Sequence, residues 1–199
     1  MGEKDGSYNR NKKAANWKKK LADFKEKDPK GYTHEVQIHE GKGHWMNLED
    51  AVAIPWMSKF SRQRFPNKVV WKQDDVKQKR FYWLAVDKLP EKRPLIVAQR
   101  DGQKVSIEQA EVDSLSVLLN DQMLDLDQKI SVDWGGKLVQ SEKAQRTIGQ
   151  LATSLLERGD PAMLFSARID LVKPAMEEIP QSEAAKPAEK IEPKAAKPE

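Results

Sequence analysis

The residue best placed for acid–base chemistry is His44, which lies in a glycine-rich turn after a predicted strand and is flanked by Gly43 and Trp45. Small residues allow a sharp turn there, and such a turn holds the imidazole out of the end of the strand. Asp5 lies in an earlier turn beside Gly6, with one helix and one strand predicted between it and His44. In hydrolases that use Ser, Asp and His, a carboxylate orients the general-base histidine. The pattern predicts Asp5 as the acid and His44 as the base of a catalytic triad. The alternative is that both are ordinary turn residues.

The other possible metal ligands do not form a recognisable site. The spacing of His34 and His39 places them on opposite faces of a strand, so they cannot converge on one ion. An acidic run resembles a calcium loop but lacks the glycine and the terminal glutamate of such a loop, which favours a polar turn or an exposed strand edge. Its members are Asn120, Asp121, Asp125 and Asp127. The sequence predicts no metal and no cofactor.

Composition excludes several classes of protein. The chain has 199 residues, of which 38% are hydrophobic and 33% are charged, and it has no cysteine. It contains no disulfide, no thiol nucleophile and no apolar window of the roughly 20 residues that span a bilayer. Residues 1–20 are polar throughout, so they do not form a signal peptide. We therefore expect no membrane partner. The sequence does not indicate in which cellular compartment the protein resides, and a longer parent protein could be exported.

The net charge of +4 is concentrated near the N-terminus, where residues 1–30 are strongly basic. Apolar residues recur there at helical spacing, namely Ala14, Trp17, Leu21 and Phe24. This periodicity predicts an amphipathic helix over residues 11–27 with its lysines on the solvated face. No aromatic or groove-reading motif accompanies the lysines, so we expect no nucleic-acid partner.

Residues 1–64 read as alternating helix and strand. A strand is predicted over residues 32–40, followed by a helix that Asn47 could cap and whose apolar positions run from Leu48 to Phe60. One strand cannot cover the apolar faces of two helices. The segment is therefore predicted to be an α/β fragment, the last strands and helices of a larger sheet.

The rest of the chain divides into a β-rich module and a tail. Residues 65–173 contain short apolar runs separated by turn signals such as Asp101-Gly102 and Gly135-Gly136, with a helix over residues 142–158 and a last strand over residues 163–172. This pattern predicts a small antiparallel sandwich or barrel with one helix. Residues 174–199 are rich in Pro, Ala, Glu and Lys and are predicted to be disordered.

Several motifs of residues 1–60 resemble the C-terminal end of α/β-hydrolases, specifically bacterial serine esterases and peptidases related to prolyl oligopeptidase and polyhydroxybutyrate depolymerase. The motifs are GEKDGSYNR at 2–10, GYTHE at 31–35, HEGKGHWM at 39–46 and AIPWM at 53–57. The runs VVW at 69–71 and RFYWL at 80–84 resemble the β-rich extension of some members. The resemblance implies a Ser-His-Asp triad with Asp5 as acid and His44 as base, Trp45 packed beside the site, and a small-molecule ester or peptide as the substrate of the parent enzyme.

The sequence departs from this family in one major respect. It contains no Gly-x-Ser-x-Gly, and the nearest serine, Ser7, lacks the elbow glycines two residues before and after it and the following helix dipole of a nucleophile elbow. We therefore expect the chain to be a C-terminal fragment of a longer hydrolase and to be inactive alone. The competing hypothesis is a non-catalytic module that binds carbohydrate or protein through the β-rich region, although Trp71 and Trp83 lie in strands predicted to form its core.

Overall fold

The structure, a computed structural model, describes residues 1–175 and divides the chain into two units, Met1–Gln63 and Arg64–Glu199. We refer to them as the N-terminal unit and the β-rich unit. The tail predicted for residues 174–199 lies outside the described residues from residue 176 onward.

The N-terminal unit is built around one long helix, α1 (Arg10–Lys27). A 3-10 turn (Ser7–Asn9) leads into it, and Asp28 and Pro29 end it. Lys25 and Lys27 lie in its last turn, where the helix dipole favours cations. A second 3-10 turn (Glu49–Val52) and the short helix α2 (Ala53–Met57) follow later. The helix predicted over residues 11–27 is therefore present.

The prediction that residues 1–64 form an α/β fragment of a larger sheet is wrong. Residues 32–40 form no strand, and the only pairing is an isolated parallel bridge between Gly2 and His39 within the described chain. A strand needs a partner along its length, and here the partner is three residues long, with bonds from Glu3 N to His39 O and from His39 N to Met1 O. Both sheets of the described residues lie in the β-rich unit, so the chain is a β-rich protein.

The second predicted helix is also shorter than expected. Asn47 and Leu48 adopt left-handed backbone angles, with φ of 50° and 63°, and this turn delays the helix. Only Ala53–Met57 is α-helical, and Asn47 makes no capping hydrogen bond. The apolar side chains at Leu48, Val52 and Phe60 are exposed as a result.

The β-rich unit contains nine strands and one helix among its described residues. The strands are β1 (Lys68–Lys72), β2 (Arg80–Phe81), β3 (Leu84–Ala85), β4 (Leu95–Asp101), β5 (Lys104–Ala110), β6 (Ser114–Leu119), β7 (Ile130–Trp134), β8 (Lys137–Glu142) and β9 (Ala167–Val172). Helix α3 (Ile148–Arg158) connects β8 to β9, with Thr147 accepting a capping bond from Gln150 N at 3.0 Å. It begins later than predicted because β8 extends through Glu142.

Two sheets share one apolar core. The first has the order β1-β4-β5-β7-β8 and the second the order β2-β3-β6-β9. Pairing is antiparallel except between β5 and β7, which are parallel because β6, between them in sequence, belongs to the other sheet. This parallel pair departs from the predicted antiparallel sandwich. Inner side chains of both sheets, such as Ile107 and Val117, fill a single cluster together with Trp83 and Phe165 from the connecting segments.

Tight turns connect several strands. Gly135 and Gly136 both have positive φ between β7 and β8, which is the geometry that two-residue hairpins favour. Residues 80–85 form a hairpin of β2 and β3, in which Tyr82 has a φ of 53° and Trp83 is fully buried.

Candidate functional site

Asp5 and His44 lie in direct contact within the N-terminal unit. Asp5 Oδ2 is 2.8 Å from His44 Nδ1. The aspartate is almost fully buried, at 3% exposure, whereas the histidine side chain is 54% exposed. The pair therefore consists of a sequestered carboxylate and an imidazole whose other edge faces outward.

Backbone hydrogen bonds bring the two turns together. Lys4 N donates to Lys42 O at 2.8 Å, one step beyond the parallel bridge, and Gly41 N donates to the carboxylate of Glu3 at 2.8 Å. Gly41 has a φ of +68°, a conformation that favours glycine. The turn before Asp5 is thereby fixed against the turn before His44.

Close packing at Gly2 is part of the same arrangement. A Cβ atom at this position would lie 2.0 Å from Gly43 O and 2.6 Å from Lys42 O. Only glycine allows the first segment to approach the histidine turn this closely, since backbone oxygens have no rotamer to move away.

The electrostatics keep Asp5 ionised. The hydrogen bond from His44 lowers the pKa of Asp5 below its usual value; burial opposes this shift, while the charges of His44 and Arg10 add to it. An ionised carboxylate only accepts hydrogen bonds, so Nδ1 of His44 is the donor in this pair, and in the neutral imidazole Nε2 is then the nitrogen that can accept a proton.

No nucleophile meets this base within residues 1–175. Nε2 of His44 has no hydrogen-bond partner there, and Ser7, in the turn that precedes α1, does not hydrogen-bond the imidazole. The arrangement provides an oriented general base with an open position, and a hydroxyl group could occupy that position.

Trp45 lies on the exposed side of the pair. Its side chain is 86% exposed, and its ring packs edge-on against the His44 ring with 5.2 Å between the centroids. This places an apolar surface beside the base.

Arg10, at the start of α1, is a site residue that the sequence reasoning missed. Its guanidinium lies 3.6 Å from Asp5 Oδ1 and 3.4 Å from His44 Nδ1. A signal was present, because a cation in the first turn of a helix opposes the dipole and implies a nearby anion.

The other histidines lie outside this contact. His39 Nδ1 is 3.4 Å from Glu49, which also pairs with Lys42, and the hydrogen bond from Lys42 lowers the pKa of Glu49 despite its desolvation. His34 Nδ1 lies 2.6 Å from Tyr32 O. In the part of the chain that the structure describes, no three His, Asp or Glu side chains are placed to hold a metal ion.

The acidic run of the β-rich unit surrounds an arginine. Arg146 Nε lies 3.1 Å from both oxygens of Asp121, and its Nη1 lies 2.7 Å from Asp127. The hydrogen bonds that Arg146 donates to Asp121 and Asp127 raise the pKa of Arg146. The guanidinium thus takes the place that a cation would occupy.

The tryptophans of the β-rich unit belong to its core. Trp71, Trp83 and Trp134 are all buried, as predicted for the first two. An exposed stacking platform for sugars is therefore not formed by these rings, and a binding function of this unit would depend on other side chains.

A separate cavity of about 610 Å³ lies in the N-terminal unit. Its lining includes Val36, His39, Val52 and Trp56 but not Asp5, His44 or Trp45. The acid–base pair therefore does not line this cavity.

No protein-family model, no curated protein and no solved structure matches this chain. None of the helices among residues 1–175 has the length and apolar character needed to cross a bilayer.

Proposed function

We propose that Asp5 and His44 are the acid and base of a serine hydrolase that cleaves ester or peptide bonds. The observation that carries this proposal is the 2.8 Å contact between the buried Asp5 carboxylate and Nδ1 of His44. In this reaction a serine attacks the carbonyl carbon while Nε2 of His44 takes the hydroxyl proton and later donates it to the leaving group. Asp5 stabilises the imidazolium that forms.

The proposal assigns the nucleophile to a segment outside residues 1–199. The sequence has no Gly-x-Ser-x-Gly, and no serine among the described residues hydrogen-bonds His44. Each missing oxyanion-hole donor would cost roughly 3–4 kcal/mol of transition-state stabilisation. We therefore expect this chain to be inactive alone and to act together with the serine-bearing segment.

The test is to read the coding DNA upstream of Met1 in frame and to express the longest chain that it encodes. We expect hydrolysis of p-nitrophenyl acetate or of a peptide, and covalent labelling of one serine by a fluorophosphonate. His44→Ala should remove turnover, and Asp5→Asn should lower kcat by about 10⁴-fold, as the loss of a triad acid does. His34→Ala is the matched control and should leave the rate unchanged.

Two results would overturn the proposal. One is full hydrolysis by the His44→Ala protein, and the other is a stop codon upstream of Met1 without an intervening serine motif. Trp45→Ala tests whether Trp45 contributes to substrate binding and not to the reaction itself. If Trp45 borders the substrate, its removal raises KM and leaves kcat nearly unchanged.

A further inference from the structure

Among residues 1–175, Arg10 is the one other charged residue that contacts both members of the acid–base pair. Its Nη1 lies 3.4 Å from His44 Nδ1 and 3.6 Å from Asp5 Oδ1, the carboxylate oxygen that does not take part in the 2.8 Å hydrogen bond. The ring of Tyr8 covers the guanidinium from another side, with 5.3 Å between Cζ and the ring centroid. Arg10 is therefore held among three side chains.

The backbone fixes this position. Tyr8 and Asn9 both adopt left-handed angles, with φ of 53° and 57°, and Asn11 N donates to Asp5 O at 3.1 Å. These features fold residues 5–11 into a closed loop, so that the first residue of α1 returns to the aspartate that precedes it. Neither left-handed residue is glycine, which indicates that the surrounding contacts hold the loop in shape.

A buried carboxylate needs positive partners to remain ionised. Among residues 1–175, the hydrogen-bond and ion-pair partners of the Asp5 side chain are His44 and Arg10. An imidazole that waits to accept a proton is neutral, so during that part of the cycle Arg10 carries the only full positive charge in contact with Asp5.

In a single protonation state, His44 Nδ1 cannot both donate a hydrogen bond to Asp5 and accept one from Arg10. Arginine only donates hydrogen bonds, so a bond from Arg10 to Nδ1 requires the proton of a neutral imidazole to lie on Nε2, which removes the base. The 2.8 Å contact to Asp5 is shorter than the 3.4 Å contact to Arg10 and favours the opposite tautomer.

We infer that Arg10 is a positioning residue that engages Asp5 Oδ1, so that Oδ2 remains free and ionised to hold Nδ1–H of His44. The inference rests on the proposed function, since it assigns a role within the same acid–base pair. Arg10 acts through Asp5 and need not touch the substrate.

The test uses the 199-residue chain labelled with ¹³C and ¹⁵N. At about pH 8, where an ordinary imidazole is neutral, ¹⁵N NMR reports which nitrogen of His44 carries the proton. Two further quantities are measured: the rate at which that proton exchanges with water, and the midpoint pH at which the ¹³C signal of the Asp5 carboxyl group titrates in acid. Among residues 1–175, His44 and Arg10 are the charged or titratable partners of this carboxylate, so a variant of Arg10 leaves His44 as the remaining partner.

Arg10→Gln should move the midpoint of the Asp5 titration to higher pH and should speed exchange of the His44 Nδ1 proton. Arg10→Lys keeps the charge and should restore the Asp5 midpoint at least in part. Lys13→Ala removes an exposed cation from the same helix and should change neither quantity. Retained helical circular dichroism in all three variants excludes unfolding of α1 as the cause.

Two outcomes would overturn the inference. An unchanged Asp5 midpoint in Arg10→Gln would show that Arg10 is a bystander, and slower exchange of the Nδ1 proton would show that it competes with Asp5. Asp5→Asn distinguishes this failure from failure of the proposed function. If the His44 tautomer does not depend on Asp5, the acid–base pair itself is refuted; if it does depend on Asp5 but not on Arg10, only the inference about Arg10 fails.

Discussion

In the β-rich unit, side chains from both sheets fill one apolar cluster, whereas the N-terminal unit buries only Gly2 and Asp5. Fully burying one large apolar side chain contributes about 1.5–3 kcal/mol, and the β-rich unit buries many of them. A backbone hydrogen bond contributes a net 0.5–1.5 kcal/mol or so, and the N-terminal unit relies on a few of these around its parallel bridge.

Because of this difference, the free energy of unfolding of the β-rich unit and the geometry of the acid–base pair depend on different sets of contacts. The β-rich unit tolerates small changes because its free energy of unfolding is spread over a large core. The acid–base pair depends on a few contacts at Gly2, Glu3 and Lys4, so single substitutions there should disrupt it without affecting the β-rich unit.

The largest expected effect comes from breaking the core. Phe165 is 0% exposed and packs edge-on against Phe65 with 5.7 Å between ring centroids. Phe165→Ala should lower the free energy of unfolding of the β-rich unit by about 3–5 kcal/mol, through lost burial and a residual cavity. Urea denaturation followed by far-UV circular dichroism measures this loss.

The matched control is Leu156→Ala, since Leu156 is 85% exposed on α3. Its expected cost is about 0.5 kcal/mol or less. Equal losses in the two variants would contradict a core shared by both sheets. Before unfolding begins, neither variant should alter the NMR signals of His44.

A smaller and more local effect is expected at Gly2. Gly2→Ala places a methyl group against Gly43 O and Lys42 O, where no space exists, so the bridge must open at a cost of about 1–3 kcal/mol. The bond between Asp5 and His44 should then be lost, as measured by ¹⁵N NMR of the imidazole. The urea midpoint of the β-rich unit should stay unchanged.

Gly6→Ala provides the comparison, because Gly6 has a φ of −78° and no atom within 4 Å of a Cβ at its position. It should preserve the contact between Asp5 and His44. If both alanine variants behave alike, the close approach at Gly2 does not set the geometry of the pair.

Local patterns in the sequence were sufficient for the β-rich unit but not for the N-terminal unit. Alternating apolar residues and the Gly135-Gly136 turn indicated β7 and β8 because hairpin pairing is local. The strand expected over residues 32–40 did not form because a strand requires a distant partner, and only Met1, Gly2 and Glu3 are available beside it. The parallel pairing of β5 with β7 was not predicted for the same reason, since these two strands are not adjacent in the sequence.

At the site, the pairing of two distant turns could be anticipated from the residue types and their order, and the structure does place Asp5 against His44. Arg10 was missed because apolar periodicity describes only one face of α1 and does not report which lysine or arginine turns back on the preceding loop. The left-handed angles at Tyr8 and Asn9 that produce this return are not encoded by a glycine.

The smallest expected effect is a structural change at low pH that is confined to the surroundings of Asp5 and His44. The hydrogen bond from His44 holds the pKa of Asp5 below its usual 3.8, against the effect of burial and with help from Arg10. A carboxylate with a lowered pKa stabilises the folded unit fully above the unfolded value, and this contribution is lost as the pH falls through the folded value. The amide signals of Gly43 and His44 should therefore shift below pH 3.8, while core signals such as those of Phe165 change less. In Asp5→Asn the same amides should show no transition in this range, because amide side chains do not titrate. A transition that persists in Asp5→Asn would assign the acid sensitivity to another carboxylate and would remove Asp5 as the group that links the two turns.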